Sequence, residues 1–243
     1  MKKFLEQKDV DRHKGQTAFV LGAGPSLRKI NPTWLRDCVV IAVNDAILKV
    51  PFAKFFMSCD WGMPLRKAWL TVKESECSLI LHNVDVGFSY LDDQTGVKAF
   101  DGISLERVSY FDFKKDNELV MERKSRKLIR GSSSVHSAVH LAHLLGCSPI
   151  VLLGCDCQYE EEKYHFTDFV GQPMGGFIKS EYEKIKPQYS FVVTKFENTD
   201  AVLMGHVACW KKIREQNPNV PIINASEGRL KMFTQMSLEK VLE

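Results

Sequence analysis

Two histidines in the second half of the chain have the chemistry of a general base. His165 follows Tyr164 directly, and His206 follows a glycine further along the chain. An imidazole titrates near neutral pH, so either ring can accept a proton, although a lone histidine is more often structural. Tyr159 and Tyr164 supply hydroxyl donors of the kind that stabilise a departing phosphate. These residues predict chemistry at a phosphate leaving group, with His206 and His165 as alternative bases.

A glycine-rich turn near the N-terminus predicts a nucleotide site. An apolar run over 18–21 ends in Gly22, Ala23, Gly24, Pro25 and Ser26. Small residues let the backbone approach a phosphate or ribose, and the N–H groups that follow supply donors. Leu27 occupies the third glycine position of the dinucleotide fingerprint, and no Gly-Lys-Ser/Thr follows as in a Walker A loop. The turn therefore indicates a nucleotide without indicating which one.

Polar residues also follow the other strand-like runs, where ligands bind in open α/β sheets. Asn44 and Asp45 follow the run 39–43, and Asn44 can read a base or ribose edge, with an Asx turn or a helix cap as the alternative for either residue. Asp60 can hold a ribose hydroxyl or a metal ion, again with capping as the alternative. Gly154 and Asp156 follow the run 150–153, which we expect to be central in the sheet.

Three consecutive serines at the start of the clearest helix predict an anion cradle. Ser132, Ser133 and Ser134 follow Gly131, and apolar residues then recur at helical spacing over 134–145. One serine is enough for the N-cap, so we expect the run to bind phosphate at the positive end of the helix.

The apolar runs alternate with helical segments and so predict the fold. Strands are expected at 17–21, 39–43, 55–58, 78–82, 150–153 and, more weakly, 220–224. Continuous apolar strands separated by helices indicate a Rossmann-like, doubly wound α/β fold with a mainly parallel sheet covered on both faces. We interpret 83–127 as a long variable connection and 160–204 as a lid-like insertion over the site.

Composition limits the class of protein. A chain of 243 residues with 44% apolar residues can bury one sizeable core, so we expect a single domain over 1–243. A net charge of +3 is too small to indicate nucleic acid, and seven scattered cysteines fit a reducing compartment. The charged N-terminal segment and the lack of a bilayer-spanning apolar run predict a cytoplasmic protein.

The sequence predicts no metal site. Cys155 and Cys157 have the wrong spacing for a redox or zinc motif. His136, His140 and His143 have a helical spacing that suits zinc, but no Glu completes a His-Glu-x-x-His motif. No Asp-x-Asp pair follows a strand, which favours chemistry without a required metal.

Taken in order, the motifs resemble a known family. They are Gly-Ala-Gly-Pro-Ser-Leu at 22–27, Val-Asn-Asp at 43–45, the serine run with the helix and strand up to residue 156, Tyr-His-Phe at 164–166 and Ile-Ile-Asn-Ala-Ser-Glu-Gly-Arg-Leu at 222–230. This order resembles the MptE-like, motility-accessory-factor type proteins (domain of unknown function 115). It is also similar to the CMP-sialic-acid-dependent sialyltransferases of glycosyltransferase family 42. The likeness extends over 17–230, except for 83–127.

The resemblance implies roles for individual residues. The positions that match the donor-binding residues of the sialyltransferases are Gly22, Gly24, Ser26, Asn44, Ser132, Ser133 and Ser134. Two tyrosines of those enzymes support the departing phosphate, which implies that role for Tyr159 and Tyr164. A histidine in a Gly-His pair deprotonates the acceptor hydroxyl, which implies His206.

The chain departs from the sialyltransferase pattern at two positions. Asp60 stands where those enzymes tend to have Asn, and Tyr159 is one residue from the expected spacing. Residues 164–166 and 224–228 are closer to the MptE-like branch, which includes sugar transferases acting on flagellin and pterin diphosphokinases that use ATP and Mg²⁺. The resemblance therefore leaves His165 and His206 as alternative bases.

Three functions remain as hypotheses. The first is a metal-independent glycosyltransferase that moves a sugar from a nucleotide-activated donor, with a CMP-sugar favoured, to a hydroxyl of a glycan, a protein or another acceptor. The second is an MptE-like diphosphokinase in which Asp60 and Asp156 hold Mg²⁺ for ATP. The third is a non-catalytic nucleotide-binding accessory protein. A homo-oligomer is one expectation for its assembly.

Overall fold

The computed structural model describes residues 3–60, 62–83, 99–114, 118–123, 127–170, 195–196 and 199–243 of the chain. Within the lid expected over 160–204, residues 171–194 and 197–198 lie outside these ranges. The lid therefore stays a prediction.

The described strands and helices alternate along the chain. The strands are β1 (Ala18–Leu21), β2 (Val39–Val43), β3 (Phe55–Ser58), β4 (Ser78–His82), β5 (Val108–Phe113), β6 (Lys127–Leu128), β7 (Ile150–Leu153), β8 (Lys195–Phe196), β9 (Thr199–Asp200), β10 (Ile222–Asn224) and β11 (Thr234–Gln235). The helices are α1 (Lys67–Glu74), α2 (Ser134–Leu144), α3 (Ala201–Gln216) and α4 (Leu238–Leu242). Within the part of the chain that the structure describes, none of these helices is long and apolar enough to cross a membrane.

Nine of the strands form one parallel sheet in the order β11-β10-β7-β1-β2-β3-β4-β5-β6. The pair β8–β9 is separate and antiparallel. Side chains of β1 alternate between two apolar clusters: Ala18 and Val20 join one, while Phe19 and Leu21 join the other. Both faces of the sheet are therefore covered, which is why the central strands are apolar throughout. The predicted doubly wound α/β fold is confirmed.

The predicted strands are confirmed, but the interpretation of 83–127 as a connection is wrong in part. This segment contains β5 and the first residue of β6, and both strands extend the sheet beyond β4. Ser109 and Asp112 interrupt the apolar residues of β5, so the strand lacks the continuous apolar run by which the others are recognised. The predicted helix is confirmed as α2, and its end at Gly146 has a positive φ of 82° that glycine adopts without strain.

The strand order reverses beside β1. The chain proceeds from β1 through β2 and β3 to one edge of the sheet, whereas β7, β10 and β11 extend on the other side. The chain therefore leaves β1 and β7 in opposite directions across the sheet, and a crevice lies at the carboxyl ends of the strands at this point. In open α/β sheets this crevice is where ligands bind.

Candidate functional site

A cavity of about 510 Å³ occupies this crevice, at the carboxyl ends of β1, β2 and β7. The predicted site residues that line it are Gly22, Ala23, Gly24, Pro25, Asn44, Ser133, Gly154, Asp156, Tyr159, Tyr164, His165 and His206. The predicted residues that do not line it are Ser26, Asp60, Ser132 and Ser134. Asp45, which follows Asn44 in the pair after β2, also lines the cavity, and the polar lining that sequence reasoning did not select includes Arg66, Gln158 and Asp200. The structure thus brings both candidate bases and most of the predicted nucleotide residues to one cavity.

The glycine turn uses most of its N–H groups inside the protein. Gly22 N donates to Leu153 O at 2.8 Å, and Gly24 N donates to Gly154 O at 2.8 Å. Among residues 22–26, Pro25 has no N–H, and Ala23 is the one whose N–H has no partner among the described residues. The predicted row of donors for phosphate is therefore reduced to Ala23 N.

Close packing between the β1 and β7 turns explains why the turn needs glycine. A Cβ on Gly22 would lie 2.5 Å from Gly154 O, and a Cβ on Gly24 would lie 2.5 Å from Asp156 Oδ2. Both distances are far below a van der Waals contact, so a side chain at either position forces the two turns apart. Gly22 and Gly24 are therefore required by the close contact between the turns after β1 and β7, whatever ligand the cavity holds.

Asp156 anchors the glycine turn from the opposite side of the crevice. Its Oδ2 accepts from Ser26 N at 2.8 Å, and its Oδ1 accepts from Ser26 Oγ at 2.5 Å. The side chain is 2% exposed, and burial raises the pKa of its carboxyl to about 6, against the opposing effect of the Ser26 hydrogen bonds. Both carboxylate oxygens are engaged with a residue that lies behind the cavity wall.

Each of the three serines at the start of α2 has a separate partner. Ser133 is the N-cap: its Oγ accepts from Val135 N at 3.2 Å, and its own N–H donates to His136 Nδ1 at 3.1 Å. Ser134 Oγ accepts from Cys59 N at 3.2 Å. Ser132 Oγ lies 2.8 Å from His206 Nδ1. Ser133 alone reaches the cavity, so the run is divided between capping, fastening of the β3 turn and contact with a candidate base.

His206 lies on the second turn of α3 and is held on two sides. Ser132 bonds its Nδ1, and the fully buried His136 packs beneath it with ring centroids 6.0 Å apart. Burial lowers the pKa of His206, while the negative charge of Asp200 opposes that shift. Burial also lowers the pKa of His136 to about 3, so that ring is neutral and puts no positive charge beside the candidate base.

His165 lies in a different electrostatic setting. Burial lowers its pKa to about 4, and the positive charge of Arg66 acts in the same direction. Its Nδ1 is buried without a partner among the described residues, and its ring stacks on Tyr164 with centroids 4.3 Å apart. Burial raises the pKa of Tyr164 to about 12. Both side chains are therefore neutral near pH 7 and can act there as hydrogen-bonding groups.

Tyr159 is tied to the start of α3. Its hydroxyl donates to Asp200 Oδ2 at 2.6 Å, and Asp200 Oδ1 accepts from Leu203 N at 2.7 Å as the N-cap of that helix. Burial and this carboxylate raise the pKa of Tyr159. Asp200 thus links the loop after β7 to the helix that carries His206. The link could not be foreseen, because Asp200 falls within the segment expected to be a lid.

Arg66 bridges two carboxylates at the ends of β2 and β3. Its Nη1 donates to Asp45 Oδ2 at 2.7 Å and its Nη2 to Asp60 Oδ2 at 2.9 Å. The other oxygen of Asp60 accepts from Gly62 N at 2.8 Å, which is an Asx turn rather than the helix cap considered as the alternative for this residue. Asp45 lines the cavity and Asp60 does not. Of the two carboxylates that Arg66 holds, Asp45 is therefore the one on the cavity wall, beside Asn44 directly after β2.

The arrangement of carboxylates and imidazoles also bears on metal binding. Over the described ranges, no three His, Cys, Asp or Glu side chains come together in a group that could hold a metal ion. The two aspartates of the magnesium hypothesis are engaged elsewhere, Asp60 with Arg66 and Asp156 with Ser26. The described side chains do not fit a magnesium pair at these positions.

Comparisons with known proteins place the fold. No family model matches the chain, and no curated protein matches its sequence at a significant level. Among solved structures, the chain is similar to the MAf glycosyltransferase from Magnetospirillum magneticum AMB-1, with a TM-score of 0.51 and 13% identity. The two proteins share a fold. The match covers 95% of this chain and 37% of that one, so the chain spans little more than a third of the length of that protein.

Proposed function

We propose that the protein transfers a glycosyl group from a nucleotide-activated sugar to a hydroxyl acceptor. The observation that carries the proposal is a single cavity at the reversal of strand order that joins the glycine turn after β1 to His206 on α3. A nucleotide bound at this edge of the sheet would place its phosphate between the two. The similarity of fold to a protein described as a glycosyltransferase supports the same reaction class.

The donor nucleotide would lie against the glycine turn and the start of α2. Ala23 N–H and the hydroxyl of Ser133 are donors on the cavity wall, and the N-terminus of α2 adds a favourable dipole for phosphate. A CMP-sugar is the donor we favour, because the motif order is similar to that of CMP-dependent sialyltransferases. The acceptor would be a hydroxyl of a glycan, a protein or another molecule.

His206 is the better candidate for the base. If its Nδ1–H donates to Ser132 Oγ, Nε2 has no proton and can take one from the acceptor hydroxyl. Asp200 stabilises the imidazolium that results, whereas Arg66 would disfavour a proton on His165. We therefore assign proton transfer to His206, hydrogen bonding to His165 and positioning to Ser132.

Tyr164 is the better placed tyrosine for the leaving phosphate. Its hydroxyl makes no hydrogen bond to a described residue and it lines the cavity, whereas the Tyr159 hydroxyl already donates to Asp200. A neutral phenol that donates to the phosphate oxygens would stabilise the charge that develops as the sugar leaves. Tyr159 would act through Asp200 on the position of α3.

We propose transfer without a metal. The charge that develops on the phosphate would be met by Tyr164, Ser133 and the α2 terminus. The diphosphokinase alternative needs Asp60 and Asp156 as magnesium ligands, and their engagement with Arg66 and Ser26 weighs against it. No contact on the described residues favours it as a second function.

Calorimetry with CMP, UDP and ATP, each with and without Mg²⁺, tests the proposal at its first step. We expect one of the nucleotides to bind at millimolar concentration or tighter, with the same affinity in either buffer. Binding of ATP that requires Mg²⁺ and is lost in Asp60→Asn would instead support the diphosphokinase. Failure of all three nucleotides to bind would contradict both enzymes.

Hydrolysis of a CMP-sugar by water, followed as release of CMP, tests the assignment of the base. Loss of a general base typically lowers a rate by about 10²- to 10⁴-fold, and we expect this of His206→Ala, with nucleotide affinity retained. His165→Ala should have the smaller effect. The reverse order would move the base to His165, and wild-type rates in both variants would favour the non-catalytic accessory protein.

A further inference from the structure

Asp45 is a fully buried carboxylate on the wall of the cavity. Its side chain is 0% exposed and lies directly after β2, on the side of the glycine turn opposite β7. Oδ2 accepts from Arg66 Nη1 at 2.7 Å. Oδ1 is buried and has no hydrogen-bond partner among the residues that the structure describes. A buried carboxylate oxygen without a donor is costly, so this position indicates a group that arrives with a ligand.

The ion pair between Asp45 and Arg66 indicates which group that is. Burial raises the pKa of Asp45, while the Arg66 guanidinium, at hydrogen-bond distance, favours the ionised form. An ionised carboxylate is an acceptor only, so it attracts hydroxyl or amine donors and repels phosphate. Asn44 lines the same wall, and the buried oxygen of its amide also lacks a partner among the described residues. Two neighbouring buried oxygens on this wall, Asn44 Oδ1 and Asp45 Oδ1, therefore lack a hydrogen-bond donor among the described residues.

The position of Asp45 in the fold indicates whether its donor is a hydroxyl or an amine of the ligand. In dinucleotide-binding Rossmann folds, a carboxylate at the end of the second strand binds a ribose hydroxyl when the nucleotide phosphate lies at the turn after the first. Asp45 and the turn after β1 have this relation, and Asp45 and residues 22–25 of that turn line one cavity. We propose that Asp45 accepts a hydrogen bond from a ribose hydroxyl through Oδ1 and makes the protein selective for ribonucleotides over deoxyribonucleotides. The inference rests on the proposed nucleotide-dependent function.

Calorimetry with sugar-modified nucleotides tests the inference on the wild-type protein. The nucleotide that binds best among CMP, UDP and ATP is compared with its 2′-deoxy and 3′-deoxy forms. Because a hydrogen bond to a charged group is lost, at least one deoxy form should bind about 10-fold or more weakly. Equal affinity for all three forms overturns the inference while leaving the proposed function intact. Absence of binding by every ribonucleotide overturns the proposed function, and the inference with it.

Two variants test whether Asp45 is the residue responsible. Asp45→Asn should reduce the preference for the ribose form to less than about 3-fold, because a hydrogen bond between neutral groups is weaker. Asp60→Asn is the matched control. It neutralises the other carboxylate that Arg66 binds, which does not line the cavity, so this variant should retain the preference for the ribose form. A preference that survives in Asp45→Asn assigns the hydroxyl to another residue and overturns the inference. If Asp45→Asn does not fold, the wild-type series still decides whether a ribose hydroxyl is recognised.

Discussion

Two carboxylates on either side of β1 lie at the same edge of the sheet and have different roles. Asp156 follows β7 and is 2% exposed, and Asp45 follows β2 and is 0% exposed. Both oxygens of Asp156 accept from Ser26, whereas Asp45 has one oxygen on Arg66 and one without a partner among the described residues. Position and burial are thus nearly equal, and the partners distinguish an anchor from the group that we propose binds a ligand. A polar residue at the end of a strand is a candidate for binding only after its internal hydrogen bonds are known.

The largest expected effect is the loss of the anchor. Asp156→Ala leaves Ser26 N–H and Oγ–H buried without an acceptor, so at pH 5 the free energy of unfolding should fall by about 3 kcal/mol. Urea denaturation measures it. Asp45→Asn, in which Arg66 keeps Asp60, should lose clearly less. Equal losses in the two variants would remove the distinction between anchor and ligand-binding group.

The pH dependence of stability comes next. Because the pKa of Asp156 is raised from 3.8 to about 6, the folded state binds more protons than the unfolded state between these values. The contribution of Asp156 is therefore fully present below about pH 4 and is lost as the pH rises through 6, by roughly 2–3 kcal/mol.

Asp156→Asn provides the control for that dependence. The amide can accept from Ser26 N and donate to Ser26 Oγ without a charge, so this variant should show a flatter curve and exceed the wild type at pH 7. Thermal or urea unfolding from pH 4 to 7 measures both proteins. If the free energy of unfolding of the wild type rose from pH 4 to 7 and that of Asp156→Asn stayed constant, ionisation of the buried Asp156 could not be what destabilises the protein.

A smaller effect is expected from the close approach of the two turns. Gly24→Ala places a Cβ 2.5 Å from Asp156 Oδ2 and 2.7 Å from Gly154 O, which should cost about 1–3 kcal/mol of stability. Gly205→Ala is the matched control: it lies inside α3 with no atom within 4 Å of the added Cβ, so it should stabilise by about 0.5–1 kcal/mol. If Gly24→Ala proved neutral, the anchored turn would be looser than these distances imply.

The smallest effect on stability is expected at Ser132, which is exposed and contacts His206. Ser132→Ala should leave the free energy of unfolding within about 0.5 kcal/mol and lower donor hydrolysis roughly tenfold, because the preferred tautomer of the base is lost. Ser132→Thr keeps the hydroxyl and should restore the rate. The hydrolysis rate of Ser132→Ala is also measured as a function of pH. If Ser132 positions His206, the part of the profile that reflects ionisation of His206 should shift. If Ser132 only packs against the ring, the profile should keep its shape.

The central fold could be read from the sequence because a parallel sheet covered on both faces requires strands that are apolar throughout. β1, β2 and β7 satisfy this condition, β3 and β4 have polar residues only at their ends, and each of the five lies where the apolar runs predict it. β5 was missed because Ser109 and Asp112 interrupt its pattern, and β11 because it has only two residues.

The site was predictable in its location and less so in its contacts. Residues directly after strands were expected at one edge, and Gly22, Asn44, Gly154 and Asp156 all line the cavity there. Phosphate binding by the serine run and by the backbone N–H groups of the turn stays a prediction. Fewer of these groups are free to bind a phosphate than the sequence suggests, because Ser134 and most N–H groups of the turn have internal partners. Arg66 was not selected, since a 3₁₀ helix separates it from the end of β3.

The sequence by itself determined the parallel sheet, the turn after β1 and the set of polar residues at the carboxyl ends of the strands, because burial periodicity and glycine placement are local properties. The tertiary structure alone decided which of those residues anchor the turns and which line the cavity with an oxygen that has no internal partner. Ser26 meets Asp156 across 130 positions of the chain, and Ser132 meets His206 across 74. A hydrogen-bond partner is fixed by the packing of distant segments, and no local pattern specifies it.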